Sequence, residues 1–256
     1  METLSQIPLR FSDIDWGEDE AKNDYSLERC FVEFPGFNNV LKGRKRFIVG
    51  RKGTGKTAIL QKIRLQSNTD PTIFSVDVSL RDFPLNDFRS LGDRSLQDKS
   101  KYVAAWKFIL LTELAGMILK DESIEQTPYT DALQDFMTRN FPNGISVTNT
   151  IERLRQNENK ISLAVSIFSG NIKDSKSEEE VAQIHYNRAV KTLEDILQGI
   201  ESTSTYYELI DELDEGYNSD NSNLNSVILA LLRASDEVYH SFKSSCINFI
   251  PITALR

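Results

Sequence analysis

Residues Gly50 to Thr57 read GRKGTGKT and satisfy the pattern G-x-x-x-x-G-K-[ST] at every fixed position. Ahead of them Arg46-Phe47-Ile48-Val49 reads as a short buried strand, and Ala58-Ile59-Leu60-Gln61-Lys62-Ile63 continues beyond them as a helix. That strand, loop and helix context is what the motif requires. Gly50, Gly53 and Gly55 let the backbone fold tightly around phosphate oxygens, so that Gly50, Arg51, Lys52, Gly53, Thr54, Gly55, Lys56, Thr57 and Ala58 form an anion cradle at a helix N-terminus. Lys56 is placed to reach the β- and γ-phosphates of a nucleotide, and Thr57 to put its hydroxyl on a Mg²⁺ that bridges them. The bland alternative is a glycine-rich turn of no function; the complete match in its proper context favours nucleotide binding.

Charge and cysteine content narrow the setting. The chain has 256 residues, enough for one large domain with a substantial core, and a formal net charge of −8. Broad attraction to nucleic acid or anionic lipid is therefore disfavoured. A local basic patch, Lys42, Arg44, Lys45, Arg46, Arg51 and Lys52, lies beside the loop and reads mainly as solvated charge, with nucleic-acid binding the weaker reading. Cys30 and Cys246 form neither a disulfide framework nor a zinc-ligand spacing, which fits a reducing cytoplasm. The first residues lack the basic start and apolar run of a signal peptide, and no stretch approaches a membrane span. A soluble, cytoplasmic protein is expected.

From the N-terminus, residues 1–24 are polar and acidic, with a turn at Trp16-Gly17, and read as a packed arm. Leu27, Cys30, Phe31 and Phe34 fall at helical spacing until Pro35-Gly36 stops the pattern. Thus 1–44 is expected to pack as an arm and helix on a domain spanning 45–256. Thr72 to Val78 reads as a second strand, with Asp77 near its end either serving the site from the sheet's carboxyl edge or capping a loop. The stretch 79–204 is too long for a simple crossover. Within it 98–121 reads as a helix buried on more than one side, 129–141 and 149–156 as amphipathic helices, and 161–169 as a strand. Ser177 to Ile200 reads as a further helix opened by a capping box from Ser177 to Glu180, with His185 on it as a packed or solvated residue.

A second acidic signal follows at Tyr206 to Glu215, YYELIDELDE. Asp211 closes an apolar strand, as a Mg²⁺ carboxylate beside a phosphate loop must, and Glu212 is placed to deprotonate an attacking water. A register with Asp214 in the metal role is weaker, and Glu208 is an awkward residue for a buried strand. Residues 216–223 are loop by composition, 224–242 helix, and Cys246 to Leu255 a further buried strand. Thr253 near its end is suited to bond a γ-phosphate or the lytic water, and Arg256 to supply charge to the transition state. An ordinary strand threonine and a solvated terminal arginine are the bland readings.

The order of GRKGTGKT, a later apolar strand with LIDE, and a strand ending in a polar residue resembles the additional-strand, catalytic-glutamate division of P-loop ATPases. Within that division it is similar to STAND and AAA-like bacterial ATPases, and to GRKGTGKT-type ATPases of stress and phage-defence settings in particular. The resemblance covers Arg46 to Arg256, and its specificity sits in the phosphate loop. It implies an α/β, three-layer P-loop NTPase with a parallel central sheet and a large, mostly helical insertion at 79–204, the Asp211 strand not adjacent to the loop strand. It also implies ATP and Mg²⁺ as cofactors, Lys56 on phosphate, Thr57 and Asp211 on the metal, Glu212 as base, and Thr253 or Arg256 as phosphate sensors. Such ATPases place a base contact ahead of the loop, left open here among Phe34, Phe37 and Arg10. They also run on into another strand and a helical lid, whereas this sequence stops at Arg256, so the lid is expected to be missing or supplied by another chain. Asn171-Ile172-Lys173-Asp174 has the wrong order for a guanine signature, which favours ATP over GTP. Three functions follow: a Mg²⁺-dependent ATPase controlling self-association or a protein partner, a nucleotide-gated module that does not hydrolyse, and a P-loop kinase.

Overall fold

A computed structural model of the chain describes residues 27–80, 83–91, 102–156, 160–164, 181–212 and 222–255. The arm at 1–24 with Trp16-Gly17 and Arg10, the capping box at Ser177 to Glu180, Asp214, the loop up to residue 221 and Arg256 lie outside the described residues.

Four parallel strands build the main sheet: β1 (Phe47–Val49), β2 (Ile73–Ser79), β5 (Thr205–Asp211) and β6 (Asn248–Leu255), in the order β1-β6-β5-β2. The order is set by register: Phe47 pairs with Thr253, Ile210 with Thr253 from the other side, and Ser79 with Asp211. β6 therefore separates the loop strand from the Asp211 strand, as the resemblance implies. β5 is central, and from Tyr206 to Asp211 it is buried throughout because both of its faces are covered. Alternation sends Tyr206 and Ile210 into one apolar layer and Tyr207 and Leu209 into the other.

The smaller layer packs α2 (Pro35–Leu41) and α3 (Lys56–Thr69) on the sheet through Phe37, Val40, Leu60 and Ile63. The larger layer is organised by α5 (Val103–Ile118), whose residues are buried on nearly every side, as expected for a helix apolar all round. It packs against β5, β2, α8 (Tyr186–Gln198) and α9 (Ser222–Phe242). Trp106 is fully buried there, stacked on Phe83 with ring centroids 5.2 Å apart, and its Nε1–H donates to the Val227 carbonyl at 3.0 Å. The remaining helices are α1 (Leu27–Cys30), α4 (Leu85–Ser90), α6 (Pro128–Asn140) and α7 (Val147–Gln156). Helices thus lie on both faces of a parallel sheet, an α/β architecture in three layers.

Three expectations are corrected. Pro35 does not end a helix but opens α2, where its fixed φ and missing N–H suit the first helical position. β1 is not buried: it is an edge of the described sheet, and Phe47 and Val49 are exposed while Ile48 packs on the smaller layer. Val181 to His185 is not helix but strand β4, antiparallel to β3 (Lys160–Ala164) with Ala164 opposite Val181 and Lys160 opposite His185. The i, i+3 spacing of Val181 and Ile184 is compatible with a helix, and the partner strand decides otherwise. His185 is instead the N-cap of α8, its Nδ1 accepting the Asn187 N–H at 3.3 Å.

Candidate functional site

The Gly50–Thr57 loop leaves the carboxyl end of β1 and enters α3. Its start is tied to the sheet, the Gly50 N–H donating to the Leu255 carbonyl at 3.1 Å. A Cβ on Gly50 would stand 2.5 Å from Thr54 Oγ1 and would displace that hydroxyl. Thr54 closes the arch, its hydroxyl donating to the Arg51 carbonyl at 2.8 Å. Gly53 (φ +80°) and Gly55 (φ +82°) both take the left-handed conformation, and nothing lies within 4 Å of where their Cβ atoms would be. The loop's concave side is thus bare backbone ending at the N-terminus of a 14-residue helix whose first turn holds no acidic residue. An unopposed helix dipole of this kind favours an anion. The Lys56 ammonium folds back over the loop and donates to the carbonyls of Gly50 (2.8 Å) and Arg51 (3.0 Å).

The first turn of α3 meets the end of β5. Thr57 Oγ1 donates to Asp211 Oδ2 at 2.8 Å, joining residues 154 positions apart, and Asp211 Oδ1 accepts the Glu212 N–H at 2.8 Å. Both carboxylate oxygens are therefore oriented, one by the helix and one by the chain that follows. Glu212 sits at φ +65°, a left-handed conformation costly for a residue with a Cβ. Its carboxylate accepts a hydrogen bond from the hydroxyl of Ser79, the last residue of β2 and the register partner of Asp211. A small cavity lies between α3 and the ends of β2 and β5, lined in part by Thr57, Gln61, Ser79 and Asp211.

The loop residues 50–58, Thr57, Asp211 and Glu212 are brought together; the other expected residues are not. Thr253 is buried on the opposite face of the sheet: alternation along β6 puts it with Phe249 and Leu255 toward the larger layer, whereas Ile250, Ile252 and Ala254 face α2 and α3. Asp77 lines the same cavity, and its carboxylate pairs with Arg64 of α3 at 3.3 Å. Phe37 is core, and Phe34 lies partly exposed at the start of α2. Arg46 departs from the solvated basic patch: its side chain is 9% exposed, bonded to Asp236 at 2.5 Å and seated 3.9 Å over the Tyr239 ring, so it clamps α9 to β1. Arg51 and Lys52 stay exposed. Ser79 was missed by motif reasoning, because its place beside Glu212 depends on the pairing of β2 with β5.

Chemically, the bare turn at a helix N-terminus and the Lys56 ammonium suit an anion, and Thr57 with Asp211 offers hard oxygen donors to a divalent cation. Among the described residues no group of three or more His, Cys, Asp or Glu is arranged to hold a metal. A cation here would need oxygens from its ligand and water as well, as Mg²⁺ bound with phosphates does. No helix among the described residues is long and apolar enough to cross a membrane.

No family model matches the chain, and no solved structure does. The chain is similar to a transposon gamma-delta 80.3 kDa protein of Escherichia coli (strain K12), 25% identical over 250 residues that cover 94% of this chain and 33% of that protein. It spans about a third of the length of the curated relative it matches.

Proposed function

We propose that this chain is a P-loop ATPase core that binds ATP with Mg²⁺ and hydrolyses it to ADP and phosphate. The observation that carries this reading is the 2.8 Å contact between Thr57 and Asp211, which sets a strand-end carboxylate against a glycine-rich anion cradle. The bare left-handed Gly53 and Gly55 fit close approach of phosphate oxygens, and the oxygen pair fits Mg²⁺. Thr57 and Asp211 would hold that ion, whose bound charge offsets the charge of the phosphates. The loop N–H groups and Lys56 bind and orient the triphosphate. Glu212 takes a proton from a water placed in line with the γ-phosphorus; the water oxygen bonds to phosphorus, the β–γ bridging bond breaks, and its electron pair leaves with ADP. Ser79 holds the Glu212 carboxylate beside the site.

The state of the nucleotide would control self-association or a protein partner, in a bacterial defence setting that rests on the resemblance of the loop. The name of the transposon relative carries no activity to transfer. A second reading, a nucleotide-gated module without turnover, is favoured by one feature: the hydroxyl of Ser79 competes for the carboxylate that must act as base.

Phosphate release by purified chain with ATP and Mg²⁺, across a range of protein concentrations, separates these readings. Activity that rises with concentration and vanishes in Lys56→Ala and Glu212→Gln supports hydrolysis completed by association. ATP bound without release supports the module, and release retained in Glu212→Gln removes Glu212 from the base role. No ATP bound by the parent chain would overturn both readings.

A further inference from the structure

Glu208 lies in the middle of the central strand, between Val76 on β2 and Pro251 on β6. It is fully buried, and neither carboxylate oxygen has a hydrogen-bond partner. Alternation along β5 turns it toward the larger apolar layer with Tyr206 and Ile210. From that layer the nearly buried Glu113 of α5 acts on it as a like charge. The Ser235 hydroxyl of α9 and the Thr253 hydroxyl of β6 are likewise buried without hydrogen-bond partners.

Nearby cations of the packing elements are paired with other acids. Lys107 of α5 is held by Glu237 at 2.9 Å and lies 3.9 Å from Glu194 of α8. Arg233 of α9 also bonds Glu237, and Arg46 bonds Asp236. Lys120, just past α5, favours the Glu113 carboxylate from an exposed position. β2 sets Val76 beside Glu208 and β6 sets Pro251 there, neither of them titratable. Two carboxylates in an apolar layer without a cation between them cannot both be charged at ordinary cost.

We propose that Glu113 and Glu208 keep their protons in the apolar layer between α5 and the central strand, and that loss of those protons loosens the packing of α5 on the strand. One carboxyl lies on the helical segment between β2 and β5, the other on the strand that ends three residues later in Asp211. Proton release is therefore felt at the core of the fold and next to the candidate site. Burial pushes the Glu113 carboxyl up to about 7, against the pull of Lys120. Burial, and then the charge of Glu113, pushes Glu208 well above the carboxylate range. For a raised acid the sign is fixed: both states are protonated at low pH, and as pH rises past the unfolded value of 4.5 the unfolded chain ionises first. Stability from Glu113 falls from there to about pH 7 and is level beyond. Glu208 extends the decline further.

The test is urea unfolding of the full chain from pH 5 to pH 8 for the parent, Glu113→Gln, Glu113→Leu and Glu208→Gln. The ratio of parent to Glu113→Gln unfolding constants should climb by up to about tenfold per pH unit until near pH 7, then level off. A ratio constant across the range overturns the proposal. In the infrared, the parent at pH 7 should show the carbonyl stretch of a protonated carboxylic acid, weaker in Glu208→Gln, where Glu113 alone keeps part of its proton; no such band in the parent also overturns it. If Glu208→Gln does not fold, the two Glu113 variants and the parent spectrum decide. None of these readouts needs a nucleotide, so the outcome is independent of the ATPase reading.

Discussion

Alanine at Gly53, Gly55 and Gly144 separates a strained turn from an anion cradle. These glycines share nearly the same backbone, φ +80°, +82° and +88°, and none has an atom within 4 Å of its would-be Cβ. The cost of each substitution is therefore left-handed strain alone, ~1–2 kcal/mol for an L-residue. Reduced entropy of the unfolded chain offsets about 0.4–1 kcal/mol of that. All three variants should thus lose roughly 1 kcal/mol, a fall of about 2–4 °C in Tm for a chain of this size. They differ in where the new methyl stands. At Gly53 and Gly55 it occupies the bare wall that phosphate oxygens would approach in the proposed site, whereas Gly144 follows α6 and is remote from the loop in the chain. Fluorescent ATP-analogue titration should show at least about a tenfold loss of affinity, ~1.4 kcal/mol, for Gly53→Ala and Gly55→Ala and none for Gly144→Ala. If all three bind as the parent does at matched stability, the loop is only a turn and the cradle argument fails.

Trp106→Ala removes a fully buried ring packed on Phe83 and Phe88 and should destabilise the chain by about 3–5 kcal/mol, whereas Trp106→Phe should recover much of that; urea unfolding measures both. Equal losses for the two would show that the Nε1–H bond to Val227, not packing, dominates. Burial raises the Asp121 carboxyl, but bonds from Ser123, Tyr206 and Ser204 outweigh it and hold it below the ordinary 3.8. A lowered acid contributes stability above its unfolded value and loses it as pH falls through the folded one, so Asp121→Asn should cost stability at pH 6 and progressively less below pH 3.8. A pH-independent cost in thermal unfolding would refute this.

The sheet's strands were legible where apolar runs are short, rich in β-branched or aromatic residues and bounded by turns, as at residues 73–79 and 205–211. α5 was legible because apolar residues surround it. Val181 to His185 was not, since a five-residue stretch with Val and Ile three apart satisfies helix and strand equally until a partner is present. Thr253 was misplaced because a position near a strand's end does not say which face it occupies, and a shift of one residue reverses that face. Arg46 was read as solvent-facing because the residues that hold it, Asp236 and Tyr239, lie far along the chain.

By itself the sequence determined the bare glycine loop between a strand and a helix, and the acidic pair that ends an apolar strand. Both are local, since glycine's freedom at positive φ and a helix dipole act over a few residues. The tertiary structure alone decided that β6 lies between β1 and β5, that Thr57 meets Asp211, that Ser79 reaches Glu212, and that Glu208 is left buried without a hydrogen-bond partner. Those facts depend on parallel pairing between strands joined by long connections, and such pairing is settled by burying both faces of the sheet at once rather than by any local stretch of chain.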